Sequence, residues 1–339
     1  MRNKTLITAL ILAAFGSGVA QGQSLDIPAK KWGLSFGNSK EFNGLRFNFQ
    51  DSGVIRIRGV NVTFWQPKKD NEESVVEGLS LGTIPGGGHV RGVQLGLLGV
   101  AGMKSVAGIS IGGLGVGSGG DVVGINLGGL GVGAGRNLAG INIGGLGVGC
   151  GDNLVGFNLG GVGVGAGKNM AGVNFGGIGL GAGGNVAGIT VGGLAAGAGE
   201  NMTGINIAGI AVGCGHRLTG LTIAGIAAGA GDALTGLTLC GIAAGAPEVR
   251  GIAIAGGAVG GEAIKGIALA GAMVHVTTDG RMIGIAASPF NYIRGSVTGL
   301  TIGIVNYARS VKGVQLGIVN IVRDNPAGLK VLPVFNTSF

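Results

Sequence analysis

The sequence predicts an all-β fold, a glycine-rich parallel β-solenoid with coils of about 16 residues. Three observations predict it. Glycine supplies 80 of 339 residues, yet 46% of the chain is hydrophobic and only 7 residues are proline, so there is apolar surface enough to bury. The glycine is periodic: Gly92, Gly108, Gly124, Gly140, Gly156, Gly172, Gly188, Gly204, Gly220 and Gly236 recur at steps of 16 residues, each followed by apolar, any, apolar. Within each step the apolar residues alternate with a period of two, the spacing of β-strands. Units this short must bury their apolar side on their neighbours, which makes a stacked array.

From the amino terminus, Arg2 and Lys4, an apolar run over 6–16 and the small residues Gly18 and Ala20 have the form of a secretory signal peptide over 1–20. The run is about half of the roughly 20 residues that a membrane helix needs. The chain is therefore expected to be exported, to the cell surface, outer membrane or periplasm. Residues 21–43 form an amino-terminal segment. Looser copies of the repeat at Gly44, Gly59 and Gly78 make 44–91 an irregular cap. Residues 92–250 are the regular array. Copies at Gly251, Gly266, Gly284, Gly299, Gly313 and Gly328 make 251–339 an irregular carboxy-terminal cap.

In the coil opening at Gly124, Ile125 and Leu127 flank Asn126 as a first strand, and Gly128 and Gly129 break the phase. Leu130, Val132 and Ala134 then alternate with glycine as a second strand, before a polar corner at Arg136 and Asn137. With both apolar rows pointing inward, stacked coils would make two parallel sheets around an aliphatic core, with bare glycine outside the second sheet. The same assignment points Asn126, Asn142, Asn158, Asn174, Thr190, Asn206, Thr222 and Thr238 outward as a flat polar ladder. That ladder is the candidate surface site.

The alternative fold is an outer-membrane β-barrel with one strand per repeat, since 9 to 11 residues span a bilayer as a strand. Barrel strands run antiparallel, so turns at opposite ends should differ with a period of two units. Here the corners share one template, as in Gly151-Asp152-Asn153-Leu154 and Gly167-Lys168-Asn169-Met170. Aromatic girdles are missing too, with Phe157 and Phe175 the only aromatics of the regular array.

The formal charge of +8 falls to +6 without Arg2 and Lys4, and the basic residues are scattered among acidic ones without stacking aromatics, which argues against nucleic-acid binding. Segments such as 115–120 fit a Gly-x-Gly-x-x-Gly phosphate loop only because the repeat generates the pattern, and no helix follows. His89, His216 and His275 fall at different coil positions, read as corner or surface residues, and predict no metal site. Cys150 and Cys214 replace a small inward residue four coils apart, roughly 19 Å at about 4.8 Å per strand, too far for a disulfide. Cys240 replaces the glycine equivalent to Gly128. No nucleophile, base and orienting acid come together in any unit, so neither catalysis nor a cofactor is expected.

The segments Gly92-Val93-Gln94-Leu95-Gly96-Leu97, Gly299-Leu300-Thr301-Ile302-Gly303-Ile304-Val305-Asn306 and Gly313-Val314-Gln315-Leu316-Gly317-Ile318-Val319-Asn320, with the ending Leu332-Pro333-Val334-Phe335-Asn336, resemble the bacterial surface-repeat proteins. These carry tandem Gly-Val-Gln-Leu-Gly-type units behind a signal peptide. The resemblance covers most of 40–339 and implies an envelope or surface location; the central copies depart from it by replacing Gln with Asn or Thr. The expected function is a non-enzymatic structural or adhesive surface protein that presents the ladder. A membrane pore is the first alternative, and an ice- or glycan-binding solenoid is the second. The partner stays open among a repetitive surface, a glycan, an envelope component and another copy of the chain.

Overall fold

A computed structural model describes residues 24–338. The signal peptide read over 1–20 lies outside the described residues. The described residues divide into two compact units, 24–136 and 137–338. Within each, the described residues are β-strand and turn, apart from a single 3-10 turn at Lys69–Asn71.

The first unit opens with Ser24–Ala29 paired antiparallel to Trp32–Gly37. From Trp32 onward neighbouring strands run parallel: Glu41–Asn48, Arg56–Thr63, Val75–Gly82, Gly86–Gly96 and Gly99–Gly112 stack coil on coil. The register aligns Gly33, Gly44, Gly59, Gly78, Gly92 and Gly108 in one column.

In the second unit each regular coil contributes a long and a short strand. Leu138–Gly144, Leu154–Gly160, Met170–Gly176, Val186–Gly192 and Met202–Ala208 pair parallel and in register in one sheet. Gly147–Cys150, Gly163–Ala166, Gly179–Ala182, Ala195–Ala198 and Ala211–Cys214 pair parallel in the other. Past Glu248–Ala255 the strands lengthen into Ala258–Ala270, Met273–Ala287 and Phe290–Val322. The unit ends with Val331–Ser338 running antiparallel along 313–321. Parallel neighbours and two strands per coil are a β-solenoid and contradict the barrel alternative, whose adjacent strands would alternate in direction.

The glycine that marks the repeat is a structural necessity. Gly156 has φ of +120°, and a Cβ there would lie 2.1 Å from the carbonyl oxygen of Gly140 one coil away. Only glycine tolerates both the backbone and the approach, so its recurrence sets the coil length.

Candidate functional site

The polar column does not face solvent. Asn126, Asn142, Asn158, Asn174, Thr190, Asn206, Thr222 and Thr238 are all buried, between 0% and 4% exposed, which reverses the orientation expected from sequence. The residues on either side are the exposed ones: Ile125 is 39% and Ile141 43% exposed. Leu130, expected inside, is also exposed, whereas the inward assignment of Val132 and Ala134 in the second strand holds.

The reason lies in the wedge-shaped gap between the two sheets. Along the strand Leu154–Gly160 the inward residues are Leu154, Asn158 and Gly160, a series of falling size. At Gly160 a Cβ would come within 2.0 Å of the Gly163 carbonyl oxygen of the same coil. The sheets therefore converge toward Gly160, and the middle position is filled by the short side chains of Asn or Thr. Leu138, Leu154, Met170, Val186, Met202, Leu218 and Leu234 fill the wide end, and Val148, Val164, Leu180 and Val212 reach in from the second sheet.

A buried amide must find a partner, and here it finds the same amide one coil on. Asn142 Nδ2 donates to Asn158 Oδ1 at 2.9 Å, and Asn158 Nδ2 donates to Asn174 Oδ1 at 2.8 Å. The threonines interrupt this chain: Asn174 Nδ2 and both amide atoms of Asn206 are buried without a partner. In the last coils a second buried ladder appears on the other sheet, where Asn291 donates to Asn306 and Asn306 to Asn320, each at 2.7 Å. There Asn291 occupies the position of Val274. A third ladder lines the corner. Asn153, Asn169, Asn185 and Asn201 each donate from Nδ2 to the preceding Asn Oδ1, at 3.0, 3.0, 3.2 and 2.9 Å. Its bonds run opposite in direction to those of the buried ladder beginning at Asn142.

In the first unit the same inward column holds Arg46, Asn61, Ser80, Gln94 and Ser110, all buried. The Gln94 amide meets the Ser110 hydroxyl at 2.7 Å. Arg46 donates from Nη1 to Asp51 Oδ1 at 2.5 Å and to Asn61 Oδ1 at 2.9 Å. Asp51 accepts further bonds from Asn48, Asn61 and Thr63. A buried ion pair is tolerable only when so enclosed by hydrogen bonds, and this one is built as a polar plug in the early coils.

Since the polar column is inside, the first sheet presents aliphatic side chains to the outside. In the second unit Ile141, Phe157, Val173, Ile189, Ile205, Leu221, Leu237 and Ile252 follow one another in register as one outward column. Ile143, Leu159, Phe175, Val191, Ile207, Ile223, Leu239 and Ile254 form the next. Leu146, Val162, Ile178, Leu194, Ile210, Ile226 and Ile242 extend the apolar surface around the corner, where all are exposed. Across about 4.8 Å per coil and 3.3 Å per residue, the two columns and their flanks cover roughly 40 Å by 17 Å. Soluble monomers rarely leave a contiguous apolar patch above a few hundred Å2 uncovered. This face, which sequence reasoning placed inside, is the candidate functional surface.

The titratable residues lie outside the two aliphatic columns. His89 Nδ1 meets the Ser105 hydroxyl at 2.8 Å, His216 Nδ1 meets Asp232 Oδ2 at 3.0 Å on an exposed corner, and His275 stacks on Tyr292 at 5.6 Å between ring centroids. Among the described residues no three His, Cys, Asp or Glu side chains gather as a metal site. Cys150, Cys214 and Cys240 are free thiols whose pKa burial pushes up. Arg250 and Lys265 hydrogen-bond the Glu248 carboxylate and hold its pKa down at about 2.

Comparison with protein-family models, curated proteins and solved structures finds no match.

Proposed function

We propose that this chain is an exported structural repeat protein that acts by surface contact, with no reaction of its own. The observation that carries the reading is the long aliphatic sheet face of 137–255. It is flat, periodic and set on a scaffold whose coils are locked by backbone pairing and by amide ladders. Such a face offers adhesion over many equivalent coils and gives a substrate no enclosed polar pocket to enter. The buried charges of the first unit support the same view, because Arg46 and Asp51 are enclosed in a hydrogen-bonded plug and are closed to a substrate. The amino-terminal residues 1–20 and the likeness of the repeats to bacterial surface-repeat proteins favour the envelope as its location. An ice- or glycan-binding role for the Asn and Thr column loses its support, since a buried ladder has no access to either.

The test is to express the full chain with a carboxy-terminal epitope and follow processing, fractionation and digestion by protease added to intact cells. The expected result is a shortened protein in the envelope fraction. Full-length protein retained in the cytosol would count against the proposal.

A further inference from the structure

We infer that the aliphatic face of the second unit is an interface between two copies of this chain, packed sheet against sheet. The inference rests on the reading of that face as the functional surface and commits to its occupant.

Three observations favour a second copy. The first is area. The columns from Ile141 to Ile252 cover about 650 Å2, so pairing two copies would enclose roughly 1,300 Å2, within the range of about 1,200 to 2,000 Å2 that stable interfaces bury. The second is charge. Over 137–255 the charged side chains are Asp152, Lys168, Glu200, Arg217, Asp232, Glu248 and Arg250, a net −1 with histidine neutral. The outward columns from Ile141 and Ile143 contain no charge at all. A face that settles on an anionic lipid surface gains from a cationic rim, and here, with the column from Ala139 included, the outward columns carry only Arg250, which is hydrogen-bonded to Glu248. The third is shape. The column just before the repeat glycine holds Ala139, Val155, Ala171, Ala187, Thr203, Thr219 and Thr235 before Arg250 in the last coil, so over seven coils it is short enough for a second sheet to approach. Two such faces are mutually complementary, with the same coil spacing and aliphatic side chains interdigitating at about 10 Å between sheets. An isologous pair also closes on itself and leaves neither face open for further growth.

Sedimentation velocity on the purified protein at micromolar concentration without detergent tests this directly. We expect the wild type to sediment at twice the chain mass. The double variant Ile189→Lys, Ile205→Lys should sediment at the chain mass with an unchanged circular dichroism spectrum, because both side chains are 38% exposed and lie outside the core. If the lysines unfold the chain, Ile189→Gln with Ile205→Gln carries the same expectation. As a control, Gly165→Lys lies on the opposite sheet, where a Cβ would meet nothing nearer than 3.9 Å, and should remain dimeric. A monomeric wild type, a folded lysine or glutamine variant that stays dimeric, or a control that falls apart would overturn the inference. Wild-type monomers that float with phosphatidylcholine vesicles would assign the face to lipid and overturn it as well. None of these outcomes bears on whether the chain is exported, so the two proposals fail separately.

Discussion

Substituting threonine for Asn158 and, separately, for Asn206 isolates what the buried ladder contributes. The two residues occupy the same column and are equally buried, and threonine already stands in that column at 190, 222 and 238. Asn158 accepts from Asn142 and donates to Asn174, so Asn158→Thr removes a link engaged on both sides. A buried group stripped of its partner costs about 1–3 kcal/mol. With Asn142 Nδ2 and Asn174 Oδ1 both losing a partner, the expected loss is about 2–6 kcal/mol. Asn206 lies between Thr190 and Thr222 with neither amide atom bonded. Asn206→Thr therefore breaks no hydrogen bond and should change stability by less than about 1 kcal/mol, in either direction. Urea unfolding followed by circular dichroism gives the shift in midpoint. Hydrogen exchange over 138–176 and 186–224 localises it, since repeat arrays need not unfold in one step. Equal shifts for the two variants, or a larger one at 206, would refute the claim that amide bonding along the axis stabilises these coils.

Glycines of the same coil should respond in opposite ways. Gly156→Ala meets a carbonyl at 2.1 Å and a φ of +120°, so we expect a loss of at least about 3 kcal/mol or failure to fold. Gly165→Ala has its nearest neighbour at 3.9 Å and should be neutral or stabilising by about 0.5 kcal/mol; thermal melts of both variants decide the matter. The pH response is set in part by Glu248, whose folded pKa of about 2 lies below its ordinary 4.5. A depressed carboxylate contributes stability above about pH 4.5, and the contribution is lost as pH falls toward 2. Melting temperatures between those values should fall less steeply in Glu248→Gln, and parallel slopes would contradict this role for the carboxylate.

The fold was legible because its strongest constraint is local. Gly140 and Gly156 are required by backbone conformation and coil-to-coil approach, and a requirement met in every coil prints its period in the sequence. Two strands per coil followed from the phase break at Gly128 and Gly129. Orientation was harder to read. A period of two says that Ile125 and Asn126 point to opposite faces, and leaves open which face is inside. Hydrophobicity alone chooses wrongly here, because the gap between the sheets narrows toward Gly160 and short Asn and Thr side chains fill the buried column beside it.

The deciding signals were present in other columns. Leu138 lies four residues before Asn142 and so shares its face. The Asn and Thr column continues as Ala253, Ala268 and Ala286, all buried, and carries no charge from Asn126 to Ala286. The column of Ala139, Val155 and Thr203, by contrast, admits Arg250 and Lys265. Over the coils from Asn126 to Ala286, the column that admits charge is the one that meets water. The plug of Arg46 and Asp51 was not legible, since an arginine at a ladder position reveals its partner only once the turn after Asn48 is folded.

Cysteine accessibility at two adjacent positions tests the inward and outward assignment most directly. The native thiols can be replaced by alanine, which occupies the equivalent positions at 134, 166 and 224. In that background Ile141→Cys and Asn142→Cys place a thiol on successive residues of one strand. Labelled with a maleimide, at a dilution that separates any paired copies, Ile141→Cys should react as fast in the folded protein as in urea, and Asn142→Cys should react only after unfolding. Rapid labelling of Asn142→Cys in the folded protein, with Ile141→Cys protected, would contradict the account.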